Sequence, residues 1–154
     1  MRNFFSPVAV GLVLVLLSCT RNEPQQGDPK KLLSEYISRT FAVRGPDDRQ
    51  QMMEFLTGDA KSRLSAWSED QFKQAFIDSK RQFIKLVFQE VKPLSPTETS
   101  ITYELSYLDQ NRGIDAKVTN RKLCQLQLEQ GKWRIADVRN IKELVEYKNE
   151  LSLP

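Results

Sequence analysis

The chain has 154 residues, with 23 Lys and Arg against 20 Asp and Glu and no histidine, for a formal charge of +3. That near balance offers no electrostatic case for a nucleic-acid partner, and the missing imidazole excludes His-based acid–base catalysis and His-ligated metal sites. Only two cysteines are present, which excludes a thiolate zinc site, so neither metal nor cofactor is expected.

The chain opens with Arg2, an apolar run from Phe4 to Leu17, then Ser18 and Cys19. A spanning helix needs about 20 apolar residues, so this run is too short and fits a removable secretory signal. Leu16-Leu17-Ser18-Cys19 resembles the lipobox of bacterial lipoproteins. The resemblance implies diacylglycerol on the Cys19 sulfur, cleavage before Cys19 and acylation of the new amino terminus. Two or more acyl chains anchor a protein stably, so the membrane is the first expected partner. In the Gram-negative members of that family an Asp after the cysteine favours inner-membrane retention, so Thr20 implies the outer membrane.

Cleavage would remove 18 residues and leave 136, one ordinary domain of formal charge about +2. The expected organisation is a signal peptide over 1–18, the lipidated cysteine and a flexible tether over 19–27, and one domain over 28–154. The tether segment "TRNEPQQG" has no large apolar side chain and cannot offset its ordering entropy. With Cys19 lipidated, Cys124 has no intramolecular disulfide partner, so the core must carry the stability.

Asp28-Pro29 predicts a capped helix with proline in its first turn, and Leu33, Ile37 and Phe41 give it an apolar face until Gly45-Pro46. A second helix is expected after Asp47 or Asp48, carrying Met52, Met53, Phe55 and Leu56. "TGDAKSRLSAW" continues it or starts a third, with Leu64 and Trp67 as its apolar contacts. Ser68 and Gln71 have the spacing of a capping box, and Phe72, Ala75 and Phe76 form the inward stripe of the next helix.

Residues 82–92 suit a helix or a strand; β-branched and aromatic residues and the closing Pro93 and Pro96 favour a strand. Ile101, Tyr103, Leu105 and Tyr107 alternate with polar residues, the period of a half-buried strand. After the turn "DQNRG", Ala116, Val118, Cys124, Leu126 and Leu128 share one parity, and Lys117, Thr119, Arg121, Gln125 and Gln127 the other. Glu129–Lys132 reads as a tight hairpin with Gly131 at φ > 0. Trp133 and Ile135 share one parity and Ala136 and Val138 the other, which predicts a bulge. "IKELVEYKNEL" finishes as a helical turn or an extended strand. The expected architecture is α+β: N-terminal helices packed on one face of a curved four-stranded antiparallel sheet.

"LLSEYISRTFA", "FLTGDAKSRL" and "GKWRIADVRNI" together resemble the nuclear transport factor two-like (cystatin-like) superfamily, and more narrowly small bacterial lipoproteins built on that fold, over about residues 28–148. The resemblance implies a cone of sheet and helices with Trp133 and Ile135 plugging it. It says little about activity, because the fold hosts many.

Isomerases and dehydratases of that superfamily place acids and phenols inside the cone. Tyr103 and Tyr107, on an apolar parity, and Asp137, on the last strand, are the candidates for a carboxylate base facing a phenol donor. Packing is the competing role for the tyrosines, and solvent exposure at the bulge for Asp137. Cys124 sits among inward aliphatics and reads as a buried structural thiol; Met52 and Met53 read as core filling. Lys117, Arg121, Lys132 and Arg134, with Arg139 beyond, make the outward parity basic, suited either to anionic lipid or an acidic envelope partner, or simply to water. Two functions stand: a non-catalytic, lipid-anchored module binding an envelope protein or small ligand, and a small-molecule isomerase or dehydratase.

Overall fold

Asp28 accepts a hydrogen bond from the Lys30 amide at 2.9 Å, and Pro29 opens helix α1 (Pro29–Ala42). This capping carboxylate and pre-set φ are what the sequence calls for at that point. In the computed structural model, which describes residues 27–148, α1 is followed by α2 (Asp48–Met53), α3 (Gly58–Ala66) and α4 (Glu69–Phe72), which runs into a π-helical turn at Lys73–Ile77. Four strands follow: β1 (Arg81–Ser95), β2 (Glu98–Asp109), β3 (Lys117–Glu129) and β4 (Lys132–Glu146). They form one antiparallel sheet in the order β1-β2-β3-β4. The expected α+β class, helices first and a four-stranded antiparallel sheet second, is the observed one. Cys19, the signal segment and most of the tether lie outside the described residues, among which no helix is long and apolar enough to cross a membrane.

The Ser68–Gln71 capping box is present in both directions, at 3.1 and 2.8 Å. Phe55 and Leu56 depart from expectation. They lie beyond α2, where Leu56 forms a parallel bridge to Ile135 of β4. Thr57 N–H donates to Ile135 O and Ile135 N–H to Phe55 O, both at 2.8 Å, so the loop covers the open edge of β4. Gly58 then starts α3 at φ +49, 3.5 Å from the Ala136 carbonyl at the position a Cβ would take. Only glycine adopts that backbone without strain.

β1 runs through Pro93 rather than stopping before it. As an edge strand it tolerates a residue with no N–H to donate. Its register slips after Phe83, Phe88 and Pro93, and β4 bulges at Ala136 and Ile141. Ile84, Leu94 and Ile141 are exposed because each is the extra residue at such a slip. The β3–β4 hairpin turns on Gln130 at φ 51 and Gly131 at φ 78, the paired positive values of a type I′ turn. The C-terminal segment is extended, so of the two readings of "IKELVEYKNEL" the strand is observed as far as Glu146.

The core lies between the helices and the inward side of β2–β4: Leu33, Ile37, Met52, Leu64 and Phe72 against Ile101, Tyr103, Leu105, Val118, Cys124, Leu126 and Ile135. Ile135 is fully enclosed, whereas Trp133 is only partly buried at its margin. Arg81 clasps the π turn to the sheet. Its guanidinium donates to Ala75 O at 2.8 Å and lies 5.5–5.7 Å from the ring centroids of Phe41, Phe76 and Tyr107.

Candidate functional site

The acid and the phenols do not converge. Tyr103 and Tyr107 are buried on the inward face of β2, and burial raises both phenols above their ordinary pKa. Asp137 follows the Ala136 bulge, and both its carboxylate oxygens are taken: Arg63 of α3 donates to Oδ1 at 2.5 Å and Arg139 to Oδ2 at 2.6 Å. The Arg63 hydrogen bond is the largest effect and, with the weaker Arg139 bond and both arginine charges, outweighs desolvation and holds the Asp137 carboxyl below the usual carboxylate range. The bulge does not turn Asp137 to solvent either, since the residue is 5% exposed under its two arginines. It ties α3 to β4. Cys124 is fully buried, and burial, aided by the Asp137 charge, pushes its thiol up to about 12, so it is neutral and shielded.

Two inward polar residues escaped the sequence reading. Asn120 and Lys122 share the parity of Val118 and Cys124 and so face the helices, a placement that the alternation itself signals. Asn120 is 3% exposed; its Nδ2 donates to the Tyr107 hydroxyl at 3.2 Å, while its Oδ1 has no partner among the described residues. The Lys122 pKa is lowered chiefly by burial, then by Arg81, with Glu143 opposing. Glu143 stands opposite Asn120 in register and accepts from Arg112 at 2.7 Å.

Most of the basic residues are paired with carboxylates. Lys117 pairs with Glu146 at 3.0 Å, Arg121 with Glu104 at 2.8 Å, Arg139 with Asp137, and Arg134 stands 4.0 Å from Glu129. Lys132 has no ion pair among the described residues. Arg121 shares a small surface hollow of ≈ 130 Å³ with Lys142, Thr119 and Leu144. Lys132 and Arg134 instead line an open groove of ≈ 650 Å³ at the hairpin end, walled by Glu54, Thr57 and Lys61 from the helical side and floored by Met53, with Leu56 enclosed behind it. Met52 fills the core, as expected, and Met53 packs against the core while also lining the groove. The groove is of the size that holds small ligands. Its rim is braced where Thr57 Oγ1 donates to Glu129 Oε1 at 2.7 Å.

Among the described residues no group of three or more Cys, Asp or Glu stands where it would hold a metal ion. No family model and no curated protein matches the chain. Solved structures do. A SEC-C motif containing protein from Rhodopseudomonas palustris superposes with a TM-score of 0.54 at 13% identity, covering 74% of this chain and 79% of that one. The intermembrane space region of the chloroplast protein ARC6 superposes with a TM-score of 0.53 at 16% identity, covering 74% of this chain and 96% of that one. At such identities the likeness is one of fold: an α+β arrangement of helices against a four-stranded antiparallel sheet.

Proposed function

We propose that this chain is a lipid-anchored protein of the bacterial cell envelope, held on the outer membrane of a Gram-negative cell, whose domain is of the nuclear transport factor two-like type and binds a partner or small ligand rather than catalysing a reaction. The anchor rests on Leu16–Cys19 and the short apolar run before it. The family assignment rests on the three quoted segments, and the order of helices and strands agrees with it.

One observation carries the binding role. The hairpin-end groove is an open volume of ligand size lined by side chains suited to holding a ligand. The isomerase or dehydratase alternative requires a carboxylate aimed at a phenol, and Asp137 is instead committed to Arg63 and Arg139.

Mass spectrometry of the protein recovered from Gram-negative membranes tests the anchor. Cys19 is expected at the new amino terminus carrying diacylglycerol and an amide-linked acyl chain, and Cys19→Ala should leave an unlipidated precursor. A wild-type protein with an unmodified Cys19 would overturn the assignment.

A further inference from the structure

The hairpin-end groove has a charge and shape pattern that specifies more than "a ligand". Three cations from two parts of the chain meet there, Lys61 from α3 and Lys132 and Arg134 from β4. They face two carboxylates of unequal standing. Glu129 accepts from Thr57 and lies 4.0 Å from Arg134, so it and Arg134 largely offset each other. Glu54 remains as the single free counter-charge, while Lys61 and Lys132 form no ion pair among the described residues. The surplus is positive but small. It suits one phosphate or carboxylate group and disfavours a polyanion.

Of the remaining lining, Gln50, Thr57 and Gln130 are polar and Met53 and Leu56 apolar. Met53 is half-buried at the groove with Leu56 enclosed behind it, and a second, contiguous hollow of ≈ 260 Å³ shares Glu54, Lys132 and Arg134 and adds Phe55. Met adapts to irregular apolar shapes, and an aromatic ring beside it offers a flat contact. The groove is also rigid where it must be. The Leu56–Ile135 bridge fixes one wall and the type I′ turn at Gln130-Gly131 fixes the other, so a ligand need not order either.

We propose that this groove binds an amphipathic anion: one phosphate or carboxylate head between Lys61, Lys132 and Arg134, with an apolar body over Met53 and Phe55. A lipid headgroup with the start of its chains and a free aryl or alkyl phosphate share this chemistry. The inference deepens the reading of the domain as a binding module, and rests on it.

The test is a calorimetric titration of the full chain in phosphatidylcholine nanodiscs, with empty nanodiscs as reference. Three soluble probes separate head from body: 1-naphthyl phosphate, 1-naphthol and inorganic phosphate. Naphthyl phosphate should bind saturably and more tightly than either part alone. Lys132→Glu and Lys61→Glu should each weaken it about tenfold, whereas Arg121→Glu on the outer sheet face should leave it unchanged. A second arm replaces part of the phosphatidylcholine by phosphatidic acid; competition with naphthyl phosphate assigns the groove to lipid headgroups, and its absence assigns it to the free ester. No saturable binding, equal loss with Arg121→Glu, or equal affinity for either part alone would overturn the proposal. An unmodified Cys19 would remove the anchor and leave this titration standing; a silent titration would do the reverse.

Discussion

From Lys132 to Val138, β4 lies against α3 and the loop before it, and Ile135, Ala136 and Asp137 are withdrawn from solvent; from Arg139 to Glu146 only Val145 is even partly covered. The partner strand divides in the same place. β3 offers Cys124 and Leu126 to the covered half and Asn120 and Lys122 to the other. Along β4 the helices cover the hairpin half with apolar packing, while the far half is exposed and carries charged pairs such as Lys117–Glu146 and Arg112–Glu143; Val118 and Tyr107 on the neighbouring strands stay in the core at that end. Buried methylenes contribute steadily, whereas exposed ion pairs contribute 0–1 kcal/mol at best. Along β4, burial and the groove thus belong to the hairpin end.

The largest effect that would break this contrast is at Ile135. Ile135→Ala should cost about 2–5 kcal/mol in denaturant unfolding, because the site is enclosed and cannot collapse freely. Ile141→Ala, at a bulge and 56% exposed, should change stability by less than about 0.5 kcal/mol. Similar costs at the two sites would deny that the halves differ.

Asp137 should come next. Asp137→Asn removes the charge that holds Arg63 and Arg139, and about 1 kcal/mol is expected because both guanidinium groups are largely in water. The native pKa of Asp137 is depressed, so its stabilisation is present above the unfolded carboxylate pKa of about 3.9 and fades as pH falls through the lower native value. Wild type should lose stability over that acid range by more than Asp137→Asn does. Superimposable acid curves for the two proteins would contradict the assignment.

The smallest effect sharpens the contrast from the other side. Raising the salt to 1 M, where the Debye length is about 3 Å, should cost wild type a few tenths of a kcal/mol through the far-half pairs. Glu143→Gln combined with Glu146→Gln should abolish most of that sensitivity. A salt response that survives both substitutions would place it elsewhere.

Much of this was legible in the residues. The cap at Asp28, the Ser68–Gln71 box and the positive-φ turn at Gly131 are local chemistry, readable from a few neighbours. The alternation of β2 set its inward face because a strand of period two has only two faces to choose between. Applied strictly to β3, the same rule places Asn120 and Lys122 inside as well. Illegible were the things that depend on distant chain. The carboxylate of Asp137 is claimed by Arg63, 74 positions away, and Leu56 is drawn out of any helix by the open edge of β4. The pairing of the basic residues was illegible in part for the same reason: Arg121 finds Glu104 on β2 and Arg134 finds Glu129 past the turn, although Arg139 finds Asp137 on its own strand. The groove itself joins residues 50–61 to 129–134, a juxtaposition that only the folded chain creates.

Hydrogen–deuterium exchange on the full chain, with and without saturating 1-naphthyl phosphate, tests most directly that binding belongs to the hairpin end. Protection should rise in peptides spanning residues 50–61 and 129–135 and stay unchanged across 139–146. Protection confined to the inward tyrosine strand around Tyr103 and Tyr107, with none at the hairpin, would contradict the account.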